Sequence, residues 1–280
     1  VKRTGIVLAG SLPLILAVAH AQDSGKKTPD TPVPAGQAPG GDASKDATAK
    51  KGDAAKSPDP GKATPAGDVL AAGSVSREKL FPLEDGRTWR YELKQWIATT
   101  SAEEGQPEDT EPPRVHRLDV STGEGLKIDG KDARCLEWRL DDEPAQKAYY
   151  FDNVDSILCA RRILGAGEHA HEYTLTPPQP VITGDLVVGA TWTWTGKVGP
   201  SSGKQQFQVL REEKVKAGPL GELGCVVIRM NFTGDDDSTG VSVKWLSPGV
   251  GLVREETEVK AESQVYRTLG VLTKFEKGKK

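Results

Sequence analysis

Gly86-Arg87-Thr88-Trp89-Arg90-Tyr91 recurs as Gly189-Ala190-Thr191-Trp192-Thr193-Trp194, 103 residues later. Cys135-Leu136-Glu137-Trp138-Arg139-Leu140 recurs as Cys225-Val226-Val227-Ile228-Arg229-Met230 after 90 residues. Tyr150-Phe151 with Ile157-Leu158 matches Lys244-Trp245 with Gly251-Leu252 after 94 residues. Three anchors in one order and at similar spacing read as two diverged copies of one β-rich unit, about 77–178 and 179–280.

Around these anchors, short runs of β-branched and aromatic residues alternate with Gly, Pro and Asp, the pattern of strands and turns. Strands are expected near 87–96, 114–122, 132–140, 146–151, 156–163 and 169–175. In the second copy they are expected near 190–196, 204–215, 223–233, 239–246, 250–259 and 262–276. Leu136, Trp138 and Leu140 share one face of a strand, and Glu137 and Arg139 the other. Val226, Ile228, Met230 and Phe232 repeat that parity. One buried and one polar face imply an antiparallel sheet. The expected fold is mainly β, with two tandem related units forming a curved sheet or half-barrel. Segments 101–113 and 234–240 read as loops, and Leu80–Leu83 has room for one helical turn.

The chain before residue 77 has a different character. Lys2 and Arg3 precede an apolar run from Ile6 to Ala19, and Ala19-His20-Ala21 has the small-x-small form of a signal-peptide cleavage site. The run falls short of the roughly 20 apolar residues of a spanning helix. Residues 1–21 are therefore read as a signal peptide, with no stable membrane span after cleavage. Residues 22–76 lack Phe, Trp, Tyr, Ile, Met and Cys, and their seven Lys balance seven Asp. Such a segment cannot bury enough apolar surface to offset the entropy of ordering, so it reads as a disordered linker. No cysteine precedes Cys135, so no lipid-anchor site is expected, and the reading is a soluble exported protein, periplasmic or secreted.

The formal charge is −3, and −5 without Lys2 and Arg3. This mild acidity argues against nucleic-acid binding, which leaves a basic footprint. Three cysteines leave at least one unpaired in a monomer. In a regular meander over 132–163, Cys135 falls level with Phe151 and Cys159 with Ala148. That places their Cα atoms more than about 7 Å apart, too far for a bridge. A Cys135–Cys159 bridge is therefore not expected, and unpaired cysteines are favoured, with any pairing of Cys225 left open.

Candidate chemistry is sparse. His169 and His171 would point to one side of a strand, and His116 is the remaining histidine of the mature chain, but a zinc site needs three or four ligands. Asp235-Asp236-Asp237 with Thr239 and Gly240 lacks the bidentate acid of a calcium loop, because Leu246 stands at its twelfth position. Ser247-Pro248-Gly249-Val250-Gly251 lacks the Lys-Ser/Thr of a phosphate loop. Trp89, Trp192, Trp194 and Trp245 read as core residues, with a sugar-stacking platform as the alternative. No catalytic residue, metal site or cofactor is assigned.

Phe81-Pro82-Leu83 followed by Gly86 and Trp89-x-Tyr91, and later Trp245-x-Ser247-Pro248-Gly249-Val250-Gly251-Leu252-Val253, resemble signatures of uncharacterised exported bacterial β-proteins. Their suggested fold is similar to the curved antiparallel half-barrel of lipoprotein carriers of the LolA/LolB type. The resemblance implies a concave apolar cavity, and it assigns no site residue. The Lys/Asp-rich linker and the missing lipid-attachment cysteine depart from the carrier pattern.

The leading expectation is an exported non-enzymatic protein that binds a lipid or other apolar or amphipathic ligand, or a protein partner, on its concave face. Trp138, Leu140, Ile228, Met230 and Phe232 would line the site. Because Ile228 replaces Trp138 in the second copy, a cavity is expected against 223–233. The alternatives are a structural or adhesion scaffold with a filled core, and a metal-dependent enzyme using His116, His169 and His171.

Overall fold

The structure is a computed structural model that describes residues 76–99, 108–109, 112–184, 186–261 and 264–278. The signal-peptide and linker readings lie outside the described residues. A single helical turn, α1 (Arg77–Leu80), precedes the strands. The first half of the chain supplies β1 (Thr88–Thr99), β2 (Glu108–Asp109), β3 (Arg114–Ile128), β4 (Lys131–Leu140), β5 (Glu143–Asn153), β6 (Ser156–Leu164) and β7 (His171–Thr183). The second half supplies β8 (Thr191–Val198), β9 (Ser201–Lys216), β10 (Glu222–Gly234), β11 (Thr239–Ser247), β12 (Gly251–Ala261) and β13 (Gln264–Glu276).

Each of the twelve expected strands overlaps one of these, with β2 the addition. Apart from β2, neighbours in sequence are neighbours in the sheet, and all pairs are antiparallel. Two-residue turns with positive φ make this meander possible. Asp129-Gly130 (φ 49 and 77) and Asp141-Asp142 (φ 49 and 74) match the twist of the strands they join. β7 outruns its expected end at 175 because Pro177 and Pro178, which donate no ladder bonds, sit where its pairing with β6 is broken.

The half-barrel expectation is corrected by one strand pair. β13 pairs with β1 from Thr88↔Glu276 to Thr99↔Gln264, so twelve strands close into a barrel. β2 sits outside this circuit, on Ala98 and Thr99 of β1. Closure removes the unpaired edges that a half-barrel would expose.

The main core fills the lumen with inward side chains such as Trp89, Leu93, Trp138, Leu175, Trp194, Phe207 and Met230. The expectation of one wholly polar face also needs correction. Two smaller apolar clusters lie on the outer wall. One joins Cys135, Tyr149, Phe151 and Ala160, and the other Cys225, Val227, Trp245 and Val253. The long hairpins β3–β4 and β9–β10 supply their cover, with Ile128 and Leu126 on the first and Val215 and Leu220 on the second.

All three cysteines are free and buried. Cys135 lies opposite Tyr149, and Cys159 opposite Tyr150. Those tyrosines are consecutive and point to opposite faces, so Cys135 joins the outer cluster and Cys159 the lumen. The intervening strand β5 and the opposite faces keep them apart, with less of the lengthwise offset expected from the sequence. Burial raises the Cys135 thiol to about 11 and the Cys225 thiol to about 12, so both stay protonated at neutral pH.

Candidate functional site

The N-terminal segment closes one end of the barrel. Leu80, Phe81 and Leu83 are buried, and the Phe81 ring meets Tyr150 edge-on at 5.0 Å. The turn between β11 and β12 holds this plug. The Gly249 N–H donates to the Lys79 carbonyl (2.7 Å), Arg87 donates to the Gly249 carbonyl (2.8 Å), and Trp89 Nε1 donates to the Val250 carbonyl (2.6 Å). The glycine-rich stretch from Ser247 to Gly251 is thus a docking turn. It brings together the two distant motifs on which the family resemblance rests.

Behind the plug lies an apolar pocket of about 40 Å³, walled by Phe81, Trp89, Tyr91, Val120, Trp138 and Leu252 among others. That volume holds about three or four water-sized atoms at roughly 10–15 Å³ each. Of the five residues expected to line a cavity, Trp138 alone borders this one. Ile228, Met230 and Phe232 are buried in the lumen core, and Leu140 is half-buried against it. The pocket is not against 223–233 as expected. The space beside Ile228 is taken by Val209 across the ladder, and Phe207, opposite Met230, stacks on Trp192 at 4.9 Å.

Elsewhere the buried interior turns polar. Lys244 and Glu255 face each other on β11 and β12, Nζ to Oε1 3.2 Å, with Ser242 Oγ donating to the same carboxylate oxygen at 2.8 Å. Burial pushes the Lys244 ammonium below its ordinary range; Glu255 opposes that shift, and Arg162 adds to it. Arg162 in turn donates to Gln179 Oε1 (2.6 Å), and Gln179 donates to Gln205.

One register row runs Ser242–Thr257–Thr268–Gln95 across β11, β12, β13 and β1. In it the Thr257 and Thr268 hydroxyls and Gln95 Nε2 are buried without a hydrogen-bond partner, as is Glu255 Oε2 one step along. An unsatisfied buried polar group costs about 1–3 kcal/mol, whereas an apolar group of the same shape carries no such penalty. Changing Thr257 and Thr268 together to Val is therefore expected to leave the urea midpoint unchanged or raise it. A loss above about 1 kcal/mol would show that the hydroxyls do hold a partner.

The outer wall carries a larger feature. A groove of about 580 Å³ crosses β11, β12, β13 and β1. Its floor is a row of directly opposed residues, Trp96–Arg267–Glu258–Val241, beside a second row, Leu269–Glu256–Val243. Arg267 Nε donates to Glu258 at 3.0 Å, and Arg254 donates to Glu256. Sequence reasoning passed over Trp96. Its signal was parity, since Trp89, Tyr91 and Leu93 point inward and Trp96 falls on the opposite set.

The histidines do not assemble. His169 ends the 3₁₀ turn Gly167–His169, and His171 opens β7; both are exposed. His116 Nδ1 lies 2.6 Å from Asp141 Oδ2. Among the described residues no three His, Cys, Asp or Glu side chains converge as metal ligands would. Asp235 and Asp236 accept from the Ser202 and Ser238 N–H groups at 2.7 and 3.1 Å, so these acids order a turn.

The class defined by these features is a closed antiparallel barrel, plugged at one end and grooved outside. No protein-family model and no curated protein matches this chain. It is similar to the crystal structure of a candidate lipoprotein from Parabacteroides distasonis, 14% identical with a TM-score of 0.37, over 72% of this chain and 99% of that one. It is also similar to a candidate exported protein with a YmcC-like fold from Bacteroides fragilis, 9% identical with a TM-score of 0.32, over 70% and 98% of the two chains. Likeness of this degree assigns no function. No helix among the described residues is long and apolar enough to cross a membrane.

Proposed function

We propose that this chain is an exported, non-enzymatic binding protein that takes an amphipathic ligand in the groove of its outer wall rather than in its lumen. Volume carries the reading. Ligand sites usually measure about 300–1,000 Å³, a range that includes the groove, about 580 Å³, and not the luminal pocket, about 40 Å³. A filled pocket would bury about four apolar atoms, worth roughly 3 kcal/mol at about 0.8 kcal/mol each. That alone gives an affinity weaker than about 1 mM. The groove combines Trp96, Val241, Val243 and Leu269 with Glu256, Glu258 and Arg267, a mostly apolar surface with a few polar groups to orient a ligand.

The duplication belongs to the same proposal. Each half supplies six barrel strands, and Cys135 with Phe151 and Cys225 with Trp245 occupy matching outer clusters. A cation covers the aromatic ring in both, Lys131 at 4.8 Å and Arg254 at 5.0 Å. An N-terminal signal peptide and linker would deliver such a barrel outside the cytoplasm.

The test uses the full chain and the amphipathic dye 8-anilinonaphthalene-1-sulfonate, with native folding checked by thermal melting. Leu269→Glu is expected to weaken dye binding about tenfold, the loss of one buried leucine contact. Val120→Phe, which fills the luminal pocket, should leave binding unchanged. The opposite pattern would move the site into the lumen. If the folded chain binds no dye, the scaffold reading stands instead, and the packed lumen favours it.

A further inference from the structure

We propose that the ligand of the outer groove is a neutral saccharide, stacked on Trp96 and held by the ion pairs of β12 and β13. This rests on the groove as the binding site. The register places the half-buried indole of Trp96 directly beside Arg267, Arg267 beside Glu258, and Glu258 beside Val241. One edge of the groove is thus an aromatic plane. Its centre is a carboxylate–guanidinium pair, and Glu256 with Arg254 repeats that pair one step away.

The chemistry of this surface selects among ligands. Each groove carboxylate is matched by an arginine, so the surface offers donors and acceptors side by side without a bare charge. An anion would have to compete with Glu258 for Arg267, and a cation with Arg267 for Glu258. An acyl chain would cover Glu256, Glu258 and Arg267 with methylenes and strip their water without replacing it, which is costly. A peptide strand binds by adding to an open sheet edge. The groove straddles the β13–β1 junction, where pairing is continuous around Trp96, from Tyr91↔Leu272 to Thr99↔Gln264, and leaves no such edge.

A sugar ring meets all three conditions. Its C–H face packs on an indole. Its adjacent hydroxyls both donate and accept, so they bridge a carboxylate and a guanidinium without breaking the pair. Its lack of charge fits a surface whose charges are already matched. The volume, about 580 Å³, accommodates a short oligosaccharide.

The full chain is titrated calorimetrically with cellobiose, maltose, lactose and chitobiose up to their solubility limits. At least one is expected to bind. Trp96→Ala should weaken it about tenfold, and Trp96→Phe less, because a smaller ring still stacks. Glu258→Gln should weaken it while leaving the melting temperature close to wild type, since the pair is partly exposed. Sugar binding that survives Trp96→Ala would place the sugar elsewhere and overturn the proposal. If no disaccharide binds while the dye still responds to Leu269→Glu, the ligand class is wrong and the groove reading survives. If neither binds the folded chain, both fall.

Discussion

Glu255→Ala is expected to destabilise the barrel by about 3–5 kcal/mol, the cost of removing one partner from a buried ion pair. Glu255 is 0% exposed and is the carboxylate 3.2 Å from Lys244 Nζ. Removing it leaves Lys244 without its countercharge in a lumen where Arg162 already disfavours a second cation. It also takes the acceptor from Ser242 Oγ, which now donates to Glu255 at 2.8 Å.

Two further results should accompany that loss. The double variant Glu255→Leu with Lys244→Met should recover most of it, because an apolar pair of similar volume has no charge to desolvate. The single variant should also gain stability as pH rises. Its folded Lys244 would lose its proton at a lower pH than the unfolded chain, whose lysine titrates near about 10.4. Between those two values the unfolded state binds more protons, so stability climbs with pH through that window. Urea unfolding across pH measures both effects. A single-variant loss below about 0.5 kcal/mol, the range of ordinary surface changes, would show that the pair is not buried in solution.

Much of the architecture was legible because alternation is a local signal. Leu136 and Trp138 face the lumen as their parity required, and Val226, Ile228, Met230 and Phe232 do the same in the second half. Closure was not legible. The β1–β13 pairing joins the two ends of the folded part, and nothing in either strand marks it as a partner for the other. Register was not legible where turn length or a bulge sets it. Cys159 pairs with Tyr150 rather than Ala148 because the turn from Asn153 to Ser156 is only two residues long, and Cys135 pairs with Tyr149 rather than Phe151, beyond a bulge at Trp138/Arg139. Another opposite Trp245 and Leu246 shifts the parity of β12, which turns Glu255 inward. Lys244 was readable, since it alternates with Ser242 and Leu246 on an inward set. The groove was not, because its residues come from four strands.

Trp138→Ala is expected to cost about 3–5 kcal/mol, the range for removing a packed aromatic side chain. Trp138 is 3% exposed, sits in the lumen core and forms one wall of the apolar pocket. The variant tests more than stability, because the lost indole should merge with the existing volume, about 40 Å³, into one enlarged apolar cavity. A cavity lined by Trp89, Tyr91, Leu118 and Leu136 stays dry, since water there would find too few hydrogen-bond partners. Benzene should then bind the variant and not the wild type, and raise the variant's melting temperature as its concentration rises. The lumen would thus become a ligand site only after its filling residue is removed, in keeping with a wild-type barrel that binds on its outer wall. Equal stabilisation of both proteins by benzene would mean that the wild-type lumen already opens to apolar ligands, and would return the binding site to the interior.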